Sequence, residues 1–166
     1  MPETVADWVL GTDSLTARLR GSCGQDFAVR VLSEGWQRPL PDERACLRLH
    51  RQRLAWVREV ALCCDRQPLI VARSVIPRSS LRAGNQALRL LGTRPLGELL
   101  FSGAGSRRER LQLARLRQND DLAERLRVQC GQPVDGQWAR RVVHYLRHKP
   151  LLVTEVFLPE LVESDE

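Results

Sequence analysis

The sequence predicts an α+β fold, a single domain over residues 1–166 in which helices pack on a six-stranded antiparallel sheet. Six stretches alternate apolar and polar residues as strands do, and most of them are joined by short turns. Helical patterns are grouped at the start and in the middle of the chain, as in folds that pack helices on one antiparallel sheet. With 166 residues, 43% of them hydrophobic, the chain can bury about two thirds of its unfolded surface in one core.

The helical stretches are recognised by their capping residues. Thr4 is a candidate N-cap for the first helix, and Asp13 or Ser14 for the second, which Gly21 should end. Pro95 stands at a favourable first-turn position of a later helix. The predicted helices are Val5–Leu10, Leu15–Leu19, Asn85–Leu91, Pro95–Leu100 and Asp120–Val128.

The strands are recognised by their alternation. Residues 64–67, between the second and third strands, are few enough for an antiparallel hairpin, and Pro77 should end the third strand. Gly35–Asp42 contains two prolines and a glycine, and we expect it to be an extended surface loop. The predicted strands are Phe27–Leu32, Leu54–Leu62, Leu69–Val75, Leu111–Leu113, Trp138–Leu146 and Leu151–Leu158.

Three of these strands carry one ionisable residue in a row that is otherwise apolar. Arg58 stands in this row of the second strand, Arg73 in that of the third and Glu155 in that of the last. A charge that faces the core must be paired or must meet a ligand. One such residue would be explained by a structural arginine–glutamate pair or by a snorkelling arginine. Two arginines and one carboxylate together favour a buried site for an anion.

The chain is basic, with a formal net charge of +6, and nearly all of the positive charge is arginine. A positive field attracts small anions or nucleic acid. Nucleic-acid binding is not expected, because only 5% of residues are aromatic and no helix-turn-helix, zinc-finger or stacking motif is present. Clusters such as Arg140-Arg141 are mixed with acidic and apolar residues, and we interpret them as solvated faces. His144 shares the apolar row of its strand and is expected to be a hydrogen-bonded core residue.

The sequence also gives expectations about location and cofactors. The five cysteines form no C-x-x-C pair, and their odd number argues against a secreted disulfide framework, so we expect reduced thiols. No apolar run approaches the ~18 residues of a membrane span, and the start lacks the features of a signal peptide. We therefore expect a cytoplasmic monomer without stable membrane insertion. Metal-ligand motifs and glycine-rich phosphate loops are missing, so no metal or other cofactor is expected.

Several blocks of residues occur in an order and at a spacing that are specific in combination. They are Asp7-Trp8 with Asp13–Thr16, Trp56–Cys63, Ala72–Pro77, Leu91–Gly97 with Leu100-Phe101, and Lys149–Pro159. In these blocks, which span nearly the whole chain, the sequence resembles the chorismate pyruvate-lyase family. Members of that family release pyruvate from chorismate and form 4-hydroxybenzoate, the first committed step toward ubiquinone.

The resemblance implies a fold and a set of site residues. Family members enclose their ligand in an internal cavity beneath helical flaps. By the resemblance, Arg58 binds the ring carboxylate and Glu155 lies near the ring hydroxyl, where it either orients that group or acts as a general base. The stretches at Leu15 and Leu96 contribute further contacts to the substrate.

Chorismate carries a second carboxylate on its enolpyruvyl arm, so its site needs a second cationic or amide-rich position. Arg73 is the candidate for this position, because a guanidinium binds a carboxylate through two parallel hydrogen bonds. Its other explanation is a structural pair with an acid such as Glu59 or Glu155.

A non-catalytic domain that senses a small anionic effector is the alternative function. Such a domain on the same fold resembles the effector domains of some bacterial transcription regulators. It would keep the anion-binding arginines without catalysis. The match at Thr154-Glu155 belongs to the lyases and favours the enzyme.

Overall fold

A computed structural model describes residues 3–82, 84–101, 106–109 and 111–163. It confirms the α+β class. The helices are Glu3–Leu10 (α1), Leu15–Cys23 (α2), Pro41–Cys46 (α3), Arg78–Arg82 (α4), Leu96–Phe101 (α5), Asp121–Cys130 (α6) and Glu160–Glu163 (α7), with 3₁₀ turns at Gly24–Asp26 and Gln86–Arg89. The strands are Phe27–Gln37 (β1), Ala55–Cys64 (β2), Gln67–Pro77 (β3), Ser106–Arg108 (β4), Gln112–Arg115 (β5), Trp138–Leu146 (β6) and Lys149–Phe157 (β7).

These strands form one antiparallel sheet in the order β1-β2-β3-β7-β6-β4, and β5 also pairs with β6. The predicted β2–β3 hairpin is confirmed, with Asp65 and Arg66 at φ values of 47° and 66°. Arg147 and His148 form an equivalent turn between β6 and β7, with φ values of 51° and 62°. Two-residue turns with positive φ match the right-handed twist of the flanking strands, which is why both hairpins close so tightly.

Several predicted boundaries are corrected. Across the described residues the sheet has seven strands, one more than predicted, because Ser106–Arg108 pairs with β6. The expected loop at Gly35–Asp42 is shorter, since β1 continues to Gln37 and Pro41 begins α3. Helix α2 passes through Gly21 and is capped by Gly24, whose φ of 57° suits glycine.

The expectation of reduced thiols is contradicted at one pair. Cys23 and Cys64 form a disulfide that joins the end of α2 to the end of β2, with their Cα atoms 5.7 Å apart. The two residues are separated by 41 positions, and spacing alone could not pair them. Cys46, Cys63 and Cys130 are free.

Both faces of the sheet are covered, and each carries part of the core. On one side, which we call the α2 face, helices α1, α2 and α5 pack on alternate residues of the central strands. On the other side, the α6 face, α6 packs on the neighbouring residues, and Leu47, just after α3, packs there as well. A strand buried on both faces has no solvent side, so its alternation cannot tell which face a residue occupies.

The pairing register settles the faces of the three inward charges. Arg58 lies opposite Ser74, and Arg73 lies opposite Glu59. Cross-strand partners share a face, so Arg58 and Arg73 point to opposite sides of the sheet. Glu155, which pairs with Ala72, shares the α2 face with Arg58. The three charges therefore do not form a single cluster, and Arg73 is the residue that is set apart.

On the α6 face Arg73 is the centre of a buried ion network. Its Nε and Nη2 donate to the Glu43 carboxylate at 2.7 and 3.0 Å, and its Nη1 donates to Glu59. Arg125 of α6 donates to the same Glu59 carboxylate through Nε at 3.1 Å. Burial opposes the charge of Arg73, but the two carboxylates outweigh it and raise the pKa of the guanidinium. Glu43 also accepts from Leu40 N at 2.7 Å, so the network fixes the start of α3.

Replacing Arg73 by methionine should destabilise the fold by about 3–5 kcal/mol, because it leaves the Glu43 and Glu59 carboxylates buried with reduced compensation. Urea unfolding would measure the loss. Arg30→Met, on the exposed side of β1, is the matched control and should change stability little. A loss below 1 kcal/mol for Arg73→Met would contradict a structural network.

Candidate active site

A cavity of about 310 Å³ lies between the α2 face of the sheet and the helices that cover it. Its floor comes from β2, β3, β6 and β7, and its cover from the α1–α2 connection and the start of α5. The polar residues of its lining are Thr12, Ser14, Thr16, Arg58, Ser74, Arg108, Glu109, Arg140, His144 and Glu155. The remainder of the lining is mostly apolar, as is usual for a small-molecule site.

The two parts of the cover meet at a glycine. Ser14 caps α2 by accepting from Ala17 N at 3.3 Å, which places Leu15 and Thr16 at the cavity. A Cβ at Gly97 in α5 would lie 3.2 Å from Ser14 Oγ. An alanine at this position would require Ser14 Oγ to move by a few tenths of an ångström, so glycine suits the close approach of α5 to α2. This contact brings Leu96 to the same cavity as Leu15.

Arg58 occupies the floor and is 1% exposed. Its Nη2 donates to the carbonyl oxygens of Gly92 at 2.8 Å and Arg94 at 3.0 Å, which ties the floor to the segment before α5. Its Nε has no hydrogen-bond acceptor among the described residues, and the Glu34 carboxylate is 3.7 Å away. Burial lowers the pKa of Arg58, and Glu34 offsets only part of this. A buried guanidinium with an unused donor is suited to an anionic ligand.

Glu155 lies on β7 and is held by an arginine on the next strand. Arg140 Nε donates to Glu155 Oε2 at 2.6 Å, and Arg140 is only 7% exposed. The same guanidinium reaches the end of α1 through Nη1, which donates to the carbonyl of Gly11 at 2.7 Å. Weaker contacts at 3.4 Å join it to the carbonyls of Trp8 and Val9. Arg140 thus positions Glu155 and binds the negative end of α1 to the sheet.

His144 lines the cavity and is not the hydrogen-bonded core residue that was predicted. Its ring makes an edge contact with Phe101, with the ring centroids 6.4 Å apart. Burial, followed by the charges of Arg108 and Arg140, lowers the pKa of His144 to about 4. The imidazole is therefore neutral near pH 7.

The structure brings four of the five predicted site residues to this cavity and leaves one out. Leu15, Arg58, Leu96 and Glu155 line it, whereas Arg73 lies on the α6 face within its ion network. Of the two explanations considered for Arg73, the geometry agrees with the structural pair with Glu59.

Sequence reasoning missed two arginines of the lining, Arg140 and Arg108. Arg140 was interpreted as part of a solvated face, yet it shares the row of Trp138, Val142 and His144, and this parity was the available signal. Arg108 lies on the short strand that was not predicted, so nothing in the sequence marked it.

In physical terms the site is a largely apolar cavity with Arg58 and the Arg140–Glu155 pair on one face of its floor. Such an arrangement suits a small, rigid anion with a polar group away from its carboxylate. Among the described residues, no group of three or more His, Cys, Asp or Glu side chains could hold a metal ion. The fold and cavity thus define an α+β protein with an internal cavity suited to a small anionic ligand.

Comparison with known proteins identifies the family. A family model described as chorismate lyase matches residues 1–165. A probable chorismate pyruvate-lyase of Methylococcus capsulatus is 41% identical over 160 residues, covering 96% of this chain and 97% of the relative. A protein of the same description from Halorhodospira halophila is 47% identical over 152 residues, covering 92% and 80%. The chain belongs to the chorismate lyase family, whose members are carbon–oxygen lyases.

Solved structures resemble the chain at the level of the fold. The effector domain of PhnF from Mycobacterium smegmatis has a TM-score of 0.59 at 12% identity, covering 90% of this chain and 91% of that one. The ligand-binding domain of a GntR-family regulator from Bordetella bronchiseptica has a TM-score of 0.54 at 15% identity, covering 82% and 88%. At these identities the likeness concerns the fold alone.

Within the described parts of the chain, no helix has both the length and the apolar character needed to cross a bilayer.

The depressed pKa of His144 should make stability fall in mild acid. The folded protein keeps this imidazole neutral down to about pH 4, whereas an unfolded chain protonates it below about 6.5. Unfolding then takes up a proton in this window, so stability decreases as the pH falls from 6.5 to 4, by about 3 kcal/mol in total.

The test compares the urea stability of the wild type with that of His144→Leu across pH 4–7. As the pH falls, the free energy of unfolding of the wild type should decrease relative to that of His144→Leu. His148→Asn, in the exposed β6–β7 turn, is the control and should follow the wild type. Parallel curves for the wild type and His144→Leu would contradict a buried neutral imidazole.

Proposed function

We propose that this protein removes pyruvate from chorismate and releases 4-hydroxybenzoate. The observation that carries the proposal is the placement of Arg58 and the Arg140-bound Glu155 in one cavity beneath the helices. Their strands are separated by one intervening strand, or about 10 Å at ~4.8 Å per strand pair. The two long side chains can therefore contact opposite ends of one ring. 4-Hydroxybenzoate has its carboxylate and hydroxyl at opposite ends, which matches a guanidinium at one side and a carboxylate at the other.

In the proposed site, Arg58 binds the ring carboxylate through the donors that the Gly92 and Arg94 carbonyls leave unused. Glu155 accepts a hydrogen bond from the ring hydroxyl. Leu15 and Leu96, on the two parts of the cover, contact the ring and exclude water. Enclosure strengthens both polar contacts, because charges interact more strongly in a dry cavity.

The reaction needs little from the protein beyond positioning. The hydrogen on the ring carbon that bears the hydroxyl moves to the methylene carbon of the enolpyruvyl arm through a six-membered arrangement. The ether bond on the neighbouring carbon breaks, the arm leaves as pyruvate, and the ring becomes aromatic. The substrate supplies the hydrogen acceptor and the driving force, so the cavity supplies orientation and charge complementarity.

Glu155 could serve as a general base or orient the hydroxyl, and its pairing with Arg140 supports the second role. A carboxylate that already accepts a 2.6 Å charge-assisted hydrogen bond is a weaker proton acceptor than a free one. It remains able to accept the neutral hydrogen bond of a hydroxyl.

The second candidate function is a domain that binds a small anionic effector without turning it over. The fold shared with the PhnF domain favours it, since that domain is described as an effector domain. The family membership of the chain favours the enzyme.

We further propose that the protein acts as a cytoplasmic monomer. We also propose that its product feeds ubiquinone synthesis, as the sequence resemblance implies.

Incubation of the purified protein with chorismate tests the proposal directly. We expect equal amounts of 4-hydroxybenzoate and pyruvate, at a rate unchanged by EDTA and without any added cofactor, because the substrate carries its own leaving group and hydrogen acceptor. Chorismate binding without turnover would support the effector domain. Turnover that depends on Mg²⁺ would assign the protein to a different reaction of chorismate.

Arg58→Lys should be almost as harmful as Arg58→Ala. The planar guanidinium of Arg58 has enough donors for the ligand and for two carbonyl oxygens together, whereas lysine has a single nitrogen. We expect the affinity for 4-hydroxybenzoate to fall by about 2–5 kcal/mol, measured by titration calorimetry. Arg30→Lys on β1 is the control and should bind normally. Near-normal binding by Arg58→Lys would remove Arg58 from the carboxylate site.

Arg140→Gln should lower kcat through Glu155, and a double-mutant cycle can show this. We expect Arg140→Gln and Glu155→Gln each to lower kcat about tenfold or more by misplacing the hydroxyl contact. Because both changes break one interaction, the double variant should be little slower than the slower single variant.

Arg141→Gln is the matched control for the cycle, since Arg141 is the neighbour on the α6 face and pairs with Asp42. It should retain wild-type kcat. Losses that multiply in the double variant would show that Arg140 acts independently of Glu155.

A further inference from the structure

Besides Arg58 and Arg140, a third arginine lines the cavity, and it has no role in the proposed reaction. Arg108 lines it from β4, the edge strand of the sheet, and is exposed to solvent. Arg58 lies buried in the floor and Arg140 is neutralised by Glu155. Arg108 therefore stands apart, on the side of the cavity that is open to solvent.

Arg108 is held in place by a neutral group. Its Nη1 donates to the carbonyl oxygen of Thr12, in the α1–α2 connection, at 2.8 Å. No carboxylate among the described residues forms an ion pair with it. The adjacent Glu109, which also lines the cavity, accepts a hydrogen bond from Tyr145 at 2.7 Å. The guanidinium is thus fixed at the cavity, with donors left for an anion.

The charged groups near Arg108 each have another polar partner, so the guanidinium forms no direct ion pair among the described residues. His144 lies opposite Arg108 in the β4–β6 register. It is neutral near pH 7, so it contributes no charge to the attraction of an anion. Glu155 is paired with Arg140, whereas Glu109 keeps its negative charge and accepts a hydrogen bond from the neutral Tyr145 hydroxyl. An anion that reaches this end would meet one fixed guanidinium with no paired carboxylate.

We propose that Arg108 binds the carboxylate of the enolpyruvyl arm of chorismate. The inference rests on the proposed function and answers a question that the structure raises, since Arg73, the expected second cation, lies on the opposite face. A dianion held by Arg58 at its ring carboxylate needs a second cation at a distance, and Arg108 meets this need from the open side.

This placement makes Arg108 a specificity-determining residue. Chorismate has the arm and 4-hydroxybenzoate does not, so the contact with Arg108 exists for the substrate and is lost with the product. Pyruvate, once formed, lies on the solvent side of the ring and can leave first. Arg108 therefore favours substrate over product, whereas Arg58 binds both.

Arg107 is a matched control for Arg108. It is the preceding residue of the same strand and has the same charge, but its guanidinium stacks on the Tyr145 ring at 4.1 Å from the centroid, and it does not line the cavity. Arg107→Gln removes the same overall charge without touching the proposed contact.

The experiment measures the KM for chorismate and the Kd for 4-hydroxybenzoate in the wild type, Arg108→Gln, Arg108→Lys and Arg107→Gln. We expect Arg108→Gln to raise the KM about tenfold, the loss of one charge-assisted contact at an exposed position, while the Kd changes less than twofold. Arg108→Lys should restore most of the loss, because an exposed point charge suffices there. Arg107→Gln should leave both constants unchanged.

Other outcomes would overturn the inference. Equal weakening of both ligands by Arg108→Gln would assign Arg108 to the support of Thr12 and the cover. An unchanged KM would remove it from the site. If the wild type does not convert chorismate at all, the proposed function fails, and the Kd for chorismate replaces the KM. Tenfold weaker chorismate binding by Arg108→Gln, with unchanged 4-hydroxybenzoate binding, would then still support the contact.

Discussion

Compensation of buried charge is the constraint on which this structure depends. The central strands place arginines on both faces of the sheet, and a buried guanidinium is tolerated only with hydrogen-bond partners. On the α6 face the partners are carboxylates, and Arg73 is satisfied by Glu43 and Glu59. On the α2 face, Nη2 of Arg58 donates to two backbone carbonyls, whereas its Nε has only the Glu34 carboxylate nearby, at 3.7 Å. This difference in compensation separates a structural arginine from one that is available to a ligand.

Much of the fold could be predicted from the sequence, because alternation and turn chemistry are local. The β2–β3 hairpin, the span of β6 and the capped helix α6 lie where the residues predicted them. The seventh strand was not predictable, since three residues are too few to show a period. The Cys23–Cys64 disulfide depends on two distant segments meeting, and no local pattern encodes that.

The candidate site shows the same limit more sharply. Alternation identified Arg58, Arg73 and Glu155 as inward residues of their own strands, and all three are substantially buried. It could not show which of them share a face, because the sheet is covered on both sides and only the register between strands relates one strand to the next. The resemblance to a family supplied Leu15 and Leu96, which periodicity would have assigned to the core. Arg140 lies in the cavity-facing row of its strand, but its neighbour Arg141 lies in the other row. The two adjacent arginines were therefore interpreted together as a solvated face.

The cover and the floor of the cavity are connected by the same groups that would bind the ligand. Arg58 holds the carbonyls of Gly92 and Arg94 ahead of α5, and Arg140 holds the carbonyl of Gly11 at the end of α1. Arg108 holds Thr12 a residue later. Each part of the cover is thus anchored by an arginine that lines the cavity.

That arrangement ties ligand binding to enclosure. An anion that draws on Arg58 or Arg108 must share the guanidinium with a backbone carbonyl of the cover, and a guanidinium has enough donors for both. At the buried Arg58, lysine, with one nitrogen, would satisfy either partner less completely. The nearly exclusive use of arginine in this basic chain therefore has a local consequence at the cavity. In the proposed site, one residue type would bind the substrate and anchor the cover at once, and the bound ligand would stabilise the arrangement in which the ring is held away from water.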